Sequence, residues 1–141
     1  MAVSFSRSSN SKSKELEDAQ SKARNLIDKT IGEVRLKFIT DLPGQETVYK
    51  QKEQEAITYL ALDPEPATLE GFPRLVREVG ITAPTALELA QLWIFMAEQW
   101  NAIDYDLEQL RVGYKTTVTE ATSIAVIDAA VVEFLGVIDN L

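Results

Sequence analysis

The chain has 141 residues, which is room for one domain with a modest core. It contains no cysteine and no histidine, so disulfides, thiol nucleophiles and the usual general base near neutral pH are excluded, and we expect no enzyme, metal site or other cofactor. The net charge of −8 is uneven, with six basic and four acidic residues in 1–30 against eight and eighteen in 31–141, and because an acidic body repels phosphates we expect no nucleic-acid partner.

The first arm begins with a serine-rich, basic segment at residues 1–13. We interpret it as an N-terminal extension that contacts an acidic partner, including a second copy of the chain; the alternative is a solvated start to a helix. A helix is expected from Ser11 or Ser13, because apolar residues then recur three or four apart. These residues are Leu16, Ala19, Ala23, Leu26 or Ile27, Ile31, Val34 and Phe38.

A break or sharp kink is predicted at residues 40–45, where Pro43 and Gly44 stand together. Thr40 or Asp41 would cap the next helix, with Pro43 in its first turn. That helix is expected to run from about Pro43 to Leu62. Its predicted inner face consists of Val48, Tyr49, Ala56, Tyr59 and Leu60.

The connection at residues 63–83 contains prolines that stop this helix, followed by a short amphipathic turn. The next helix is expected to begin at one of two caps, either Thr82 with Pro84 or Thr85 with Glu88. The connection therefore separates two long helical arms.

The second arm carries a regular 4-3 spacing that predicts a long helix packed against other helices. We name its first part the 4-3 seam and expect it to pack within the chain. The seam consists of Leu89, Trp93, Met96, Trp100, Ile103, Leu107, Leu110 and Tyr114, and the spacing continues through Thr117, Ala121 and Ile124. Helix propensity is lowest from Gly113 to Ser123, and Thr117 with Glu120 matches a capping box, so a kink or restart is expected near 113–117.

The C-terminal segment, residues 117–141, is apolar around most of its girth, which predicts burial on several sides. It also contains Asp128, Glu133 and Asp139, so we expect no membrane span. We predict that it meets an oligomer or partner through Ile124, Ile127, Val131, Phe134, Ile138 and Leu141.

These elements predict an all-α fold: a long antiparallel helical hairpin over residues 14–141, with its turn at 63–83. Two arms cannot cover a C-terminal helix that is apolar on several faces. We therefore expect a trimer or larger bundle to complete the fold, or docking on another protein.

Three residue sets were weighed as sites of chemistry. Asp104, Asp106 and Glu108 point to different sides of a helix and are interpreted as a solvated face. Three acidic residues of the connection, Asp63, Glu65 and Glu70, lack the glycine and the alternating oxygen ligands of a calcium loop. An aromatic platform for a sugar or small ligand would use Trp93, Trp100 and Tyr105, with Tyr114, but all except Tyr105 lie on the seam, where core packing is favoured.

One stretch resembles a helical module of tailed bacteriophage tail-fibre, baseplate and tail-assembly proteins. It reads Thr40, Pro43, Gly44 and Gln45, then Tyr49, Lys52, Glu55, Ala56 and Tyr59. A proline-containing connection follows, and then Trp100 with Ile103, Leu107 and Arg111, so that the match covers residues 34–115. Catalytic residues are not part of the resemblance.

The resemblance implies a structural component of a tailed bacteriophage virion, in the tail fibre, baseplate or neck region, that acts by helix-mediated assembly. Its partners would be other virion proteins and further copies of itself, in the tail of the virion and, during assembly, in the host cytoplasm. One alternative is a tail-fibre assembly chaperone absent from the mature particle. The other is a small helical ligand-binding module.

Overall fold

The computed structural model describes residues 9–39 and 44–141, which form helices and no strand, so the all-α prediction is confirmed. The helices are α1 (Ser9–Phe38), α2 (Gln45–Leu60), α3 (Pro73–Glu78), α4 (Ala86–Glu120) and α5 (Ile124–Asp139). The expected caps Thr40 and Asp41, together with Pro43 and residues 1–8 of the predicted extension, lie outside the described residues. The rest of that extension, residues 9–13, is helical.

The boundaries of the helices follow local chemistry. Gly44, with a φ of 80°, precedes α2, and Gly80, with a φ of 84°, follows α3, a backbone region that glycine enters without steric cost. Of the two caps predicted for α4, the structure shows Thr85, whose Oγ1 accepts a hydrogen bond from the Glu88 backbone N–H at 3.2 Å. These three boundaries are therefore set by residues that lie next to them in the sequence.

The predicted restart near residues 113–117 is wrong, because α4 continues through Gly113 to Glu120. The Thr117 hydroxyl donates to the Gly113 carbonyl at 3.1 Å, one turn back, so this threonine is accommodated inside the helix. The break comes at residues 121–123, where Ser123 Oγ accepts from the Val126 N–H at 3.3 Å and caps α5.

Contacts divide the chain into two compact units. Unit 1 is Met1–Arg35 with Asp106–Leu141, and unit 2 is Leu36–Tyr105. The helices α1 and α4 therefore contribute to both units, α2 and α3 belong to unit 2, and α5 belongs to unit 1.

Unit 1 places α1 antiparallel to the second half of α4, because residue 20 meets residue 119 and residue 35 meets residue 108. The Gln20 side chain donates to the carbonyls of Thr119 and Ala121 at 3.1 and 3.2 Å, where α4 ends and its carbonyls lack helical partners. Its buried core consists of Ala23, Ile27, Ile31, Val34, Leu107, Val118, Ala121, Ile127, Ala130 and Phe134.

Unit 2 pairs α2 with the first half of α4, and α3 closes one end of this pair. The Tyr59 and Phe72 rings meet edge to face with centroids 5.3 Å apart. Its buried cluster consists of Ala56, Tyr59, Phe72, Leu75, Leu89, Ala90 and Trp93. This cluster lies where α2 ends and α4 begins.

Candidate functional site

Some of the residues that carry the resemblance hold the connection onto α2. Lys52 pairs with Glu78 of α3 at 2.8 Å. Glu55 Oε1 accepts the backbone N–H groups of Arg74 and Leu75 at 2.8 and 2.7 Å, which satisfies two of the donors that a helix start leaves free. A carboxylate at this position also complements the dipole of α3.

Two further residues of the same pattern extend this contact. Ala56 is fully buried in the unit 2 cluster, where a larger side chain would push the helices apart. The Tyr59 hydroxyl donates to the Glu65 carboxylate, and burial together with this bond raises the pKa of Tyr59 to about 12. The pattern therefore has a structural explanation: Lys52, Glu55, Ala56 and Tyr59 form one face of α2 that receives residues 63–83.

A groove of about 180 Å³ lies in unit 2 next to the buried cluster, with which it shares Trp93. Lys52 crosses it, with its Nζ 5.2 Å from the centre of a Trp93 ring. On the other side, Asn101 accepts from Lys50 Nζ at 3.3 Å and donates to Glu53 Oε1 at 3.4 Å. The groove is lined by Phe38, Ile39, Tyr49, Lys50, Lys52, Glu53, Glu78, Thr82, Trp93, Met96, Ala97 and Trp100.

Unit 1 has a network of ion pairs between α1 and α4. Arg111 binds Glu108 through two nitrogens at 2.6 and 2.9 Å and reaches Asp28 at 3.2 Å. Lys115 also reaches Asp28, at 2.7 Å, and Arg35 reaches Glu108 at 3.3 Å. The Arg111 hydrogen bond lowers the pKa of Glu108 to about 2, and the Lys115 hydrogen bond lowers that of Asp28. Both carboxylates are therefore ionised at neutral pH, and their ion pairs hold α1 against α4.

The acidic sets weighed for chemistry are not brought together. Glu108 is in the ion-pair network, while Asp106 is exposed beside it. Glu65 accepts the Tyr59 hydrogen bond. Across the described ranges, no group of three acidic, histidine or cysteine residues is placed to hold a metal ion.

The four residues of the proposed aromatic platform do not share one site. Trp93 and Trp100 both line the groove, the first buried and the second half-buried. Tyr105 is 68% exposed and is not a groove residue. Tyr114 packs in unit 1 against Phe134, with ring centroids 5.4 Å apart.

The 4-3 seam is shared between the two units. Leu89, Trp93 and Leu107 are buried, whereas Met96 is 50% exposed at the groove. The remaining seam residues, Trp100, Ile103, Leu110 and Tyr114, are half-buried. Beyond them the chain buries Val118 and leaves Thr117 exposed, because an α-helix of 3.6 residues per turn drifts away from a strict 3.5-residue step.

On α5, the residues predicted to meet a partner have different surroundings. Ile127 and Phe134 are buried in the unit 1 core, and Val131 and Ile138 are half-buried. Ile124 is 42% exposed, and Leu141, beyond the helix end, is 60% exposed.

The opposite face of α5 is apolar as well. Residues at 4-3-4 spacing share it, and all of them are exposed: Ala125, Ala129, Val132 and Gly136. Val132 is 72% exposed, and a Cβ added at Gly136 would meet no atom within 4 Å. We name these four residues the outer α5 face. None of the helices in the described part of the chain combines the length and hydropathy needed to span a bilayer.

Comparisons with protein-family models, curated proteins and solved structures found no match for this chain.

Trp93 and Trp100 of the groove belong to the aromatic platform considered from the sequence, but the residues that α2 contributes to the groove were not predicted. A signal was present, since Tyr49, Lys52, Glu53 and Ala56 follow the spacing of one helical face but mix aromatic and charged residues. Only Tyr49 and Ala56 of this set belong to the predicted inner face of α2, and only the fold shows which residues of α4 stand opposite.

Proposed function

We propose that this chain is a structural component of a tailed bacteriophage virion, in the tail fibre, baseplate or neck region, and that it acts by helix-mediated protein assembly. The observation that carries the proposal is the outer α5 face, which is apolar and exposed on a helix whose other face already packs in the unit 1 core. A helix with two apolar faces gains further stability when a second helix covers the free one.

The chemistry of the outer α5 face suits a close helix–helix contact. Ala125, Ala129 and Gly136 have small side chains or none, so a partner backbone can approach closely, and Val132 supplies the apolar contact. The helix carries acidic residues and no basic ones. The occupant is therefore expected to be an apolar helix with flanking basic residues, from another virion protein or from a further copy of this chain.

The placement in a phage particle is supported by the resemblance. Four of its α2 residues, Lys52, Glu55, Ala56 and Tyr59, face the connection in this chain, which supports the proposal that the pattern encodes a local architecture. A protein that shares the pattern is expected to share the α2–connection–α4 arrangement. On this proposal the chain resides in the tail region of the virion and, during assembly, in the host cytoplasm.

Self-association through α5 is tested by Val132→Glu in the full chain. We expect the wild type to sediment as an oligomer and the variant as a monomer, because a carboxylate would be buried without a partner. Val112→Glu is the matched control, since Val112 is also exposed in unit 1, at 49%, but lies on α4. If both variants keep the oligomer, the outer α5 face is not its interface.

The place of the protein in the particle is tested by mass spectrometry of purified virions. A structural component is recovered with them at a fixed stoichiometry. The alternative, a tail-fibre assembly chaperone, is present in the infected cell and absent from the finished virion, so the same measurement separates the two roles.

A small helical ligand-binding module is the second candidate, and the unit 2 groove favours it. Concave, largely apolar sites with a few convergent polar groups are the usual form of small-molecule sites. Both tryptophans of the chain line this groove, so tryptophan fluorescence that stays unchanged across a ligand panel would argue against this candidate.

A further inference from the structure

The groove already holds one cation, and the chain itself supplies it. The Lys52 ammonium lies 5.2 Å from the centre of a Trp93 ring and 2.8 Å from a Glu78 carboxylate oxygen. A cation over the face of a tryptophan is attracted by the ring quadrupole, most strongly where water is partly excluded. The Lys52 side chain is 20% exposed, so the groove provides such a setting.

The second carboxylate of the groove is differently placed. Glu78 is satisfied by Lys52 and by the Thr82 hydroxyl, which donates to it at 3.2 Å. Glu53 receives one long hydrogen bond, 3.4 Å from the Asn101 amide, and has no ion pair among the described residues. It therefore keeps most of its capacity to accept hydrogen bonds from a ligand.

Two further features favour a positively charged ligand. Tyr49, Trp100 and Phe38 line the groove with aromatic rings, which attract cations. Unit 2 as a whole carries five basic and eleven acidic residues over Leu36–Tyr105. An acidic unit concentrates cations near its surface and repels anions.

We propose that the groove binds an organic cation, namely an ammonium or guanidinium group on an apolar stem. The cationic group pairs with Glu53, and the stem lies between the aromatic residues and Met96. This inference rests on the ligand-binding candidate and names its ligand class. A free amine and an arginine side chain of a peptide carry the same chemistry.

The dimensions suit a small ligand. The groove volume of about 180 Å³ exceeds that of an engineered cavity of about 150 Å³ that accepts benzene. A phenyl ring with a two-carbon ammonium arm is therefore of suitable size. For so few atoms at an open site, a Kd on the order of 1 mM is expected.

The test is a fluorescence titration of the full chain with three matched compounds: 2-phenylethylammonium, neutral 2-phenylethanol and anionic 3-phenylpropionate. Because both tryptophans line the groove, the emission reports binding there. We expect the cation to bind more tightly than either isostere. An N-acetyl arginine amide forms a fourth arm: tighter binding of this compound identifies a protein side chain as the source, and tighter binding of the amine identifies a free ligand.

Glu53→Gln keeps the shape of the side chain and its acceptor for Asn101 but removes the charge. It is expected to weaken binding of the cation roughly threefold to fivefold, the range of a partly exposed ion pair, and to leave the neutral compound unaffected. Glu98→Gln is the matched control, because Glu98 is exposed on α4, outside the groove, and the charge change is the same.

The outcomes distinguish two claims: that the groove binds small ligands, and that the ligand is a cation. If none of the compounds binds, the ligand-binding candidate itself is overturned. If the three phenyl compounds bind equally well, or if Glu53→Gln behaves like Glu98→Gln, the groove binds ligands but the cation class is wrong. Selective binding of the cation that depends on Glu53 supports both.

Discussion

Replacement of Glu55 by alanine tests whether one carboxylate anchors the connection. In the variant, the Leu75 N–H loses its acceptor while Leu75 itself stays fully buried, and an unsatisfied buried donor costs about 1–3 kcal/mol. The Arg74 N–H lies nearer the surface and regains water, so its loss is smaller, about 0.5–1.5 kcal/mol. We therefore expect the free energy of unfolding to fall by about 1.5–4.5 kcal/mol, or about 5–15 °C in Tm for a chain of this size.

The assay combines urea unfolding, followed by circular dichroism, with amide hydrogen exchange. Exchange should accelerate first in α3, at Val76 and Val79, whose N–H groups bond to Phe72 and Leu75, because α3 is released before the rest of unit 2 unfolds. Glu55→Gln retains a neutral acceptor and is expected to lose about half as much stability.

Glu46→Ala is the control, since Glu46 is an exposed residue of α2 that carries the same charge and lies away from α3. If Glu55→Ala differs from Glu46→Ala by less than about 0.5 kcal/mol, the usual scatter of surface substitutions, the carboxylate does not anchor the connection and the reasoning fails.

Three further predictions concern unit 1. The pKa of Glu108 is lowered from 4.5 to about 2 in the folded protein, so its ion pairs stabilise the fold fully above pH 4.5 and are lost as the pH falls toward 2. In Glu108→Gln, the urea midpoint should therefore fall less steeply with pH over this window. A pH dependence equal to that of the wild type would contradict stabilisation by the Glu108–Arg111 ion pair. Gly113→Ala should raise the free energy of unfolding by about 1 kcal/mol, because a Cβ there meets no atom within 4 Å and alanine favours the helix interior. A decrease in this free energy, measured by urea denaturation, would show that the surroundings of Gly113 do not accommodate a methyl group. Ser123→Ala should cost about 1 kcal/mol by removing the cap of α5, with faster amide exchange at Val126, and protection equal to the wild type would show that the cap is dispensable.

The parts of the fold that the sequence predicts are those governed by neighbours along the chain. The Thr85 cap was one of two predicted caps, and it places a hydroxyl three residues before the N–H group from which it accepts. The short turn predicted within the connection is α3, which begins at Pro73 and is followed by Gly80. The restart expected near Gly113 is wrong because that prediction also used only local sequence, namely helix propensity. Propensity is a weak influence of about 1 kcal/mol or less per residue, and the packing of Leu107 and Val118 in the core outweighs it.

The site depends on relations that the spacing of residues does not contain. Glu55 lies among several charged residues of α2, and nothing in its neighbours distinguishes it as the acceptor for Arg74 and Leu75, about twenty residues later. In the same way, the pairing of Arg111 with Asp28 requires that α1 and α4 lie side by side in unit 1. Periodicity shows that a helix has an inner face, but it does not show which helix covers it.

The anchoring of the connection on one face of α2 has an evolutionary consequence. The contact has two sides that a fixed length of chain separates. On α2 it uses Lys52 and Glu55, and on α3 it uses Glu78 and the backbone. Insertions between the two sides, or a charge reversal on one side alone, should be selected against. A joint exchange of Lys52→Glu with Glu78→Lys should keep the ion pair but lose the attraction between the Lys52 ammonium and the Trp93 ring. These residues of α2 and α3 should therefore change together and not singly.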